Sequence, residues 1–107
     1  MSYVQRLDDR DASSINLVVL HCTELPDLAT ARQWGENVIY PQTRTGNSGH
    51  FYIDRDGLVE QWVPASRVAH HVRNLNERSV GIELVNRGRY PDWFNSANQQ
   101  MKEAYSD

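Results

Sequence analysis

The apolar positions fall into a few short runs separated by polar loops. Ile15 to Leu20 reads Ile-Asn-Leu-Val-Val-Leu, almost continuously apolar and valine-rich, and predicts a strand covered on both faces, as inside an α/β sheet. The preceding stretch, residues 1–14, reads as a polar lead-in. Pro26-Asp27 opens a helix in which Leu28, Ala31 and Trp34 share one face, with Gly35 as its stop. Val38 to Gly49, carrying Pro41, Gly46, Asn47, Ser48 and Gly49, is a long loop of the kind that carries function. Phe51-Tyr52-Ile53 and Leu58 to Val63 flank Asp54-Arg55-Asp56-Gly57, the pattern of a hairpin with an Asp-Gly turn. Ser66 to Val72 fits no single element. Ser79 to Val85 is a further strand, Arg87 to Trp93 a loop, and Asn95 to Tyr105 reads equally as helix or loop. Together these elements predict one α/β domain, a mixed β-sheet flanked by helices, over residues 1–107.

Composition narrows the function. The 107 residues carry a net charge of −3, and the basic residues are scattered, so the clustered positive face that nucleic acid requires is missing. Ten of the eleven basic residues are arginine, Lys102 being the exception. The single cysteine, Cys22, rules out an intramolecular disulfide, and as a nucleophile it is poorly placed, since its side chain diverges from His21 on a strand; a small buried role is expected instead. No leader-like apolar segment opens the chain and no run reaches transmembrane length. A cytoplasmic location is the expectation, with a periplasmic or secreted one if a leader was removed. No membrane partner is expected.

Two positions stand out chemically. His21 follows four apolar residues at the end of a predicted strand, where open α/β sheets bind ligands, and suits metal binding or proton transfer as well as a buried structural role. Glu83 is the only charged residue of its strand. Alternation puts it on one face with Gly81, which leaves space where a ligand approaches. A carboxylate in such apolar surroundings has a raised pKa, suited to a general base or acid. His50, His70 and His71 complete the histidines. With His21 they offer donors for a three-ligand zinc site, although no short metal motif is present and adjacent histidines on a strand face opposite ways.

Four segments occur in order: Val18-Val19-Leu20-His21-Cys22-Thr23-Glu24, Gly49-His50-Phe51-Tyr52-Ile53-Asp54-Arg55-Asp56-Gly57, Val68-Ala69-His70-His71, and Arg78-Ser79-Val80-Gly81-Ile82-Glu83-Leu84-Val85-Asn86. This pattern, over residues 15 to about 100, resembles the type-2 N-acetylmuramoyl-L-alanine amidases, the group related to phage T7 lysozyme and to peptidoglycan recognition proteins. It leans toward the bacterial branch that processes anhydro-muropeptides. The resemblance implies zinc as cofactor, His21 as its first ligand and Glu83 as the catalytic glutamate. It implies peptidoglycan or a muropeptide as substrate. His50 and His71 match positions near the cleft that are not the usual ligands, which argues against a zinc site built from them.

The family's second histidine ligand, its later aspartate or cysteine ligand and a neighbouring lysine lie downstream of the catalytic glutamate, and no residue of this sequence matches them. The fold is therefore expected to be incomplete at its C-terminus and the 107-residue form to self-associate. The alternative function is an inactive peptidoglycan- or muropeptide-binding module without a complete zinc site. For substrate contacts the candidates are His50, His71, Arg73 and Trp93. Arg44 is a further partner for an acidic stem peptide, and Tyr90 a further lining residue of a sugar-binding cleft.

Overall fold

The computed structural model describes residues 1–88; the predicted Asn95–Tyr105 element and most of the Arg87–Trp93 loop lie outside them. Four strands form one mixed sheet: β1 (Leu17–Cys22), β2 (Phe51–Ile53), β3 (Val59–Gln61) and β4 (Ser79–Leu84), in the order β1-β4-β2-β3. β4 runs parallel to both β1 and β2, while β2 and β3 form the antiparallel hairpin. Among the described residues the single α-helix, α1 (Leu28–Glu36), follows β1. Short 3₁₀ turns occupy Val4–Arg6, Ala12–Ser14 and Asn76–Arg78.

Local chemistry sets the boundaries. Asp27 caps α1 by accepting the Thr30 N–H at 2.7 Å. Gly35 is not the stop that the sequence suggested: α1 runs through it to Glu36. Gly35 instead makes room for packing, because a Cβ there would lie 2.2 Å from Met1 Cε. The hairpin turn follows expectation. Gly57 takes φ +91°, the left-handed region that glycine adopts without steric cost.

The core lies on one face of the sheet, where Tyr52, Trp62, Val63 and Ala69 meet Ala31 of α1. Tyr52 stacks on Trp62 with ring centroids 3.7 Å apart, and the Arg32 guanidinium lies over the Trp62 ring at 4.9 Å. The N-terminal segment belongs to this core and is not a polar lead-in. Met1, Tyr3 and Leu7 are buried, and the Tyr3 hydroxyl donates to the Gly35 carbonyl at 2.5 Å. Its apolar residues turn inward through the Val4–Arg6 turn, so their irregular spacing matched neither helical nor strand periodicity.

The opposite face corrects a second expectation. Among the described residues β1 is covered on one side only: Val18 is 59% exposed and Leu20 64% exposed, alternating with half-buried Leu17, Val19 and His21. Cys22 shares the open face and is exposed rather than buried. Both faces of β1 are apolar, which is why periodicity read it as a central strand.

Because Tyr3 is fully buried and ties the N-terminal segment to α1, Tyr3→Ala is expected to cost about 3 kcal/mol in urea denaturation. A loss below about 1 kcal/mol would mean that this segment does not contribute to the core.

Candidate functional site

The parallel register fixes the site. β4 is flanked by β1 and β2, and Glu83 pairs with His21 on one side and Tyr52 on the other. All three strands are parallel, so their carboxyl ends share one edge, and His21 and Glu83 stand close to it on the core-side face. In front of them a cleft of about 740 Å³ is lined by His21, Tyr40, His70, His71, Arg73 and Glu83, with Trp34 and Gly35 of α1 along one wall.

Glycines make room for the carboxylate. A Cβ on Gly49 would lie 3.0 Å from Glu83 Cγ, and one on Gly81 would lie 2.6 Å from both Cγ and Nδ1 of His71. Desolvation by the surrounding sheet and loops pushes the Glu83 pKa up to about 7. Burial also raises the Tyr52 hydroxyl's pKa, and this hydroxyl accepts the Gly49 N–H at 3.1 Å.

The histidines form a chain. His21 Nε2 lies 3.1 Å from His71 Nδ1, and His71 Nε2 lies 3.1 Å from Ser79 Oγ. The His71 pKa falls to about 4, chiefly through desolvation and then through neighbouring His21, His50 and Arg10. Burial lowers that of His21 as well. His50 is fully buried: its Nδ1 accepts the Gly81 N–H at 3.1 Å and its Nε2 meets the Arg67 carbonyl at 2.8 Å. It braces β4 from beneath and offers no surface to a substrate, so its expected substrate contact has no geometric basis.

His71 and Arg73, by contrast, line the cleft. Arg44 does not: it takes φ +59° in the loop, and its carbonyl accepts from Arg6. Trp93 and Tyr90 lie outside the described residues. His70 and His71 both reach the cleft because their segment is irregular, so the strand rule that would turn them to opposite faces does not apply. Two contributions escaped sequence reasoning. Tyr40, whose hydroxyl donates to Asn47 Oδ1 at 2.6 Å, packs edge-on against His70. Arg10, from the supposed lead-in, brings Nη2 to within 3.1 Å of His50 Nε2. Nothing in the spacing of either residue signalled this. Among the described residues, no group of three His, Cys, Asp or Glu is placed to hold a metal ion.

The raised pKa of Glu83 has a consequence for stability. A carboxyl that holds its proton more tightly when folded than when unfolded lowers stability as pH rises from its ordinary value of 4.5 through about 7. Glu83→Gln is therefore expected to be more stable than the unaltered chain above pH 7 by about 1–2 kcal/mol, allowing for solvent that reaches the carboxylate. The gain should vanish below pH 4.5, and a gain independent of pH in thermal melts would contradict the assignment.

A family model described as N-acetylmuramoyl-L-alanine amidase matches residues 11–106. Comparison with curated proteins finds no match. Two crystal structures of AmpDh3 from Pseudomonas aeruginosa, one in complex with anhydromuramic pentapeptide, share the fold at a TM-score of 0.56 and 23% identity. The alignment covers 90% of this chain and 44% of the AmpDh3 chain, so this chain spans less than half the length of that relative. With the family match extending over nearly all of its length, this chain belongs to the N-acetylmuramoyl-L-alanine amidase family.

Proposed function

We propose that this domain serves hydrolysis of the amide between the lactyl group of N-acetylmuramic acid and L-alanine, in peptidoglycan or in a muropeptide, with Glu83 as general base. The observation that carries this reading is Glu83 itself: a desolvated carboxyl with its pKa near 7, at the carboxyl edge of the sheet, beside His21 and facing the cleft. In the reaction Glu83 takes a proton from the attacking water as oxygen bonds to the carbonyl carbon. It then returns that proton to the alanine nitrogen as the C–N bond breaks. Arg73 at the cleft wall is suited to the acidic groups of a stem peptide. The AmpDh3 complex with anhydromuramic pentapeptide supports a muropeptide as the ligand class.

Zinc fits this site only in part. His21 supplies one nitrogen donor, while residues 1–88 assemble no three-donor group, and the sequence after His71 contains no histidine or cysteine. The described donors do not fit a complete three-ligand zinc centre, and the proton steps above are written on the chain's own groups. We assign zinc dependence to an assembly in which further ligands join His21. The same shortage of donors favours a second reading, a module that binds muropeptide without cleaving it. The exposed apolar face of β1 supports self-association of this chain.

In a form spanning the full length of its relatives, Glu83→Gln is expected to lower amidase turnover about 10²–10⁴-fold while muropeptide affinity stays within a few-fold. Turnover near that of the unaltered enzyme would remove Glu83 from the general-base role. Calorimetric binding of an anhydro-muropeptide to the 107-residue chain, without release of the stem peptide, would favour the binding module.

A further inference from the structure

From the backbone bonds around His50 we infer that His50 is a positioning residue for Glu83: its imidazole replaces a main-chain acceptor in the β2–β4 ladder at Gly81, which frees the chain before it to leave the sheet and lay Gly49 against the Glu83 side chain. The inference deepens the proposed function, because it rests on reading Glu83 as the reactive group of the cleft.

β2 pairs with β4 from Phe51, opposite Ile82, onward. One step back along this parallel ladder His50 stands opposite Gly81, and its N–H still bonds the Gly81 carbonyl at 2.8 Å. A regular parallel ladder would give the Gly81 N–H a carbonyl from the residues that precede Phe51. The chain there turns to other partners. Ser48 donates its N–H to the His70 carbonyl at 3.0 Å, and Gly49 donates its N–H to the Tyr52 hydroxyl at 3.1 Å. The Gly81 N–H meets Nδ1 of the His50 ring instead, at 3.1 Å. A buried backbone N–H without an acceptor is destabilising, so the ring's lone pair is what permits the departure from the sheet.

Backbone groups fix the direction of both ring bonds. The Gly81 N–H can only donate, so Nδ1 accepts. The Arg67 carbonyl, 2.8 Å from Nε2, can only accept, so Nε2 carries the hydrogen. Arg10 Nη2 lies 3.1 Å from Nε2, its guanidinium held by the carbonyls of Ala65, Asn76 and Glu77. The ring is fully buried, and burial and this neighbouring cation both oppose a second proton on it. The His50 carbonyl accepts from Trp62 at 2.9 Å, so residue 50 ties β4, the chain after β3 and the Arg67 loop together.

The effect reaches Glu83 through two glycines. Gly81 lies two residues before Glu83 on the same face of β4. A Cβ on Gly49 would lie 3.0 Å from Glu83 Cγ and 3.1 Å from the Gly81 carbonyl oxygen, so the Gly49 backbone forms the wall beside the carboxylate chain. His50 itself does not line the cleft and acts only by holding these neighbours in place.

The test is NMR on the ¹⁵N-labelled 107-residue chain at about pH 8, above the ordinary histidine pKa of about 6.5. In the unaltered chain a scalar coupling across the hydrogen bond should link the Gly81 amide nitrogen to a pyridine-type Nδ1 of His50. Two variants of similar shape then separate the acceptor from mere packing. His50→Asn offers an oxygen near the position of Nδ1 and should keep the Gly81 amide protected from exchange and the contact between Gly49 Hα and Glu83 Hγ. His50→Leu offers no acceptor. It should lose about 10–100-fold of the Gly81 protection, together with that contact, while the β1 amides stay protected. A His50 protonated at Nδ1, or an uncoupled Gly81 amide, in the unaltered chain would overturn the inference. So would a folded Leu variant that keeps both the protection and the contact. Should the Leu variant fail to fold, the unaltered chain and the Asn variant decide: loss of the Gly81 protection in a folded Asn variant overturns the inference, and its retention beside the coupling upholds it. No substrate or turnover enters the measurement, so failure of the amidase reading would leave its outcome unaffected.

Discussion

The parallel pairing of β4 with both β1 and β2 is the constraint on which the site depends. In a parallel ladder the register of one strand fixes which side chains stand abreast on its neighbours. With Leu17 opposite Ser79, His21 falls opposite Glu83, and the same residue of β4 faces Tyr52 of β2. A one-residue slip would send Glu83 to the open face among Val18 and Leu20 and bring an apolar residue into the cleft. Gly81 and Gly49 share in this constraint, because the His71 ring and the Glu83 chain occupy the volume that larger residues would fill.

The chemistry follows from where water is excluded. The face that carries Glu83 also carries the core, and burial there raises the pKa of the carboxyl. Burial lowers the pKa of His21, His50 and His71, disfavouring their charged forms. His50 is bonded to β4 and the Arg67 loop, His71 lies between Ser79 and His21, and both His21 and His71 line the cleft.

Much of this was legible in the sequence because it rests on local rules. Strand β4, the hairpin and its Gly57 turn, the start of α1 and the pairing of Gly81 with Glu83 on one face follow from alternation and turn chemistry. What stayed hidden depends on tertiary contacts. The burial of Met1, Tyr3 and Leu7 has no periodic signature, since an irregular segment packs by shape. Whether β1 is covered on one face or two depends on what lies across from it, and its own residues are apolar on both sides. His50 and His71 carry the same side chain, yet one is fully buried against the sheet and the other lines the cleft, a distinction set by tertiary packing.

The central claim is that the fold desolvates Glu83 and so prepares it to move protons near neutral pH. The most direct measurement is a ¹³C NMR titration of the Glu83 side-chain carboxyl in the 107-residue chain. A midpoint near 7 is the expected result. A midpoint near 4.5, the ordinary value for glutamate, would show a solvated carboxylate and contradict the claim.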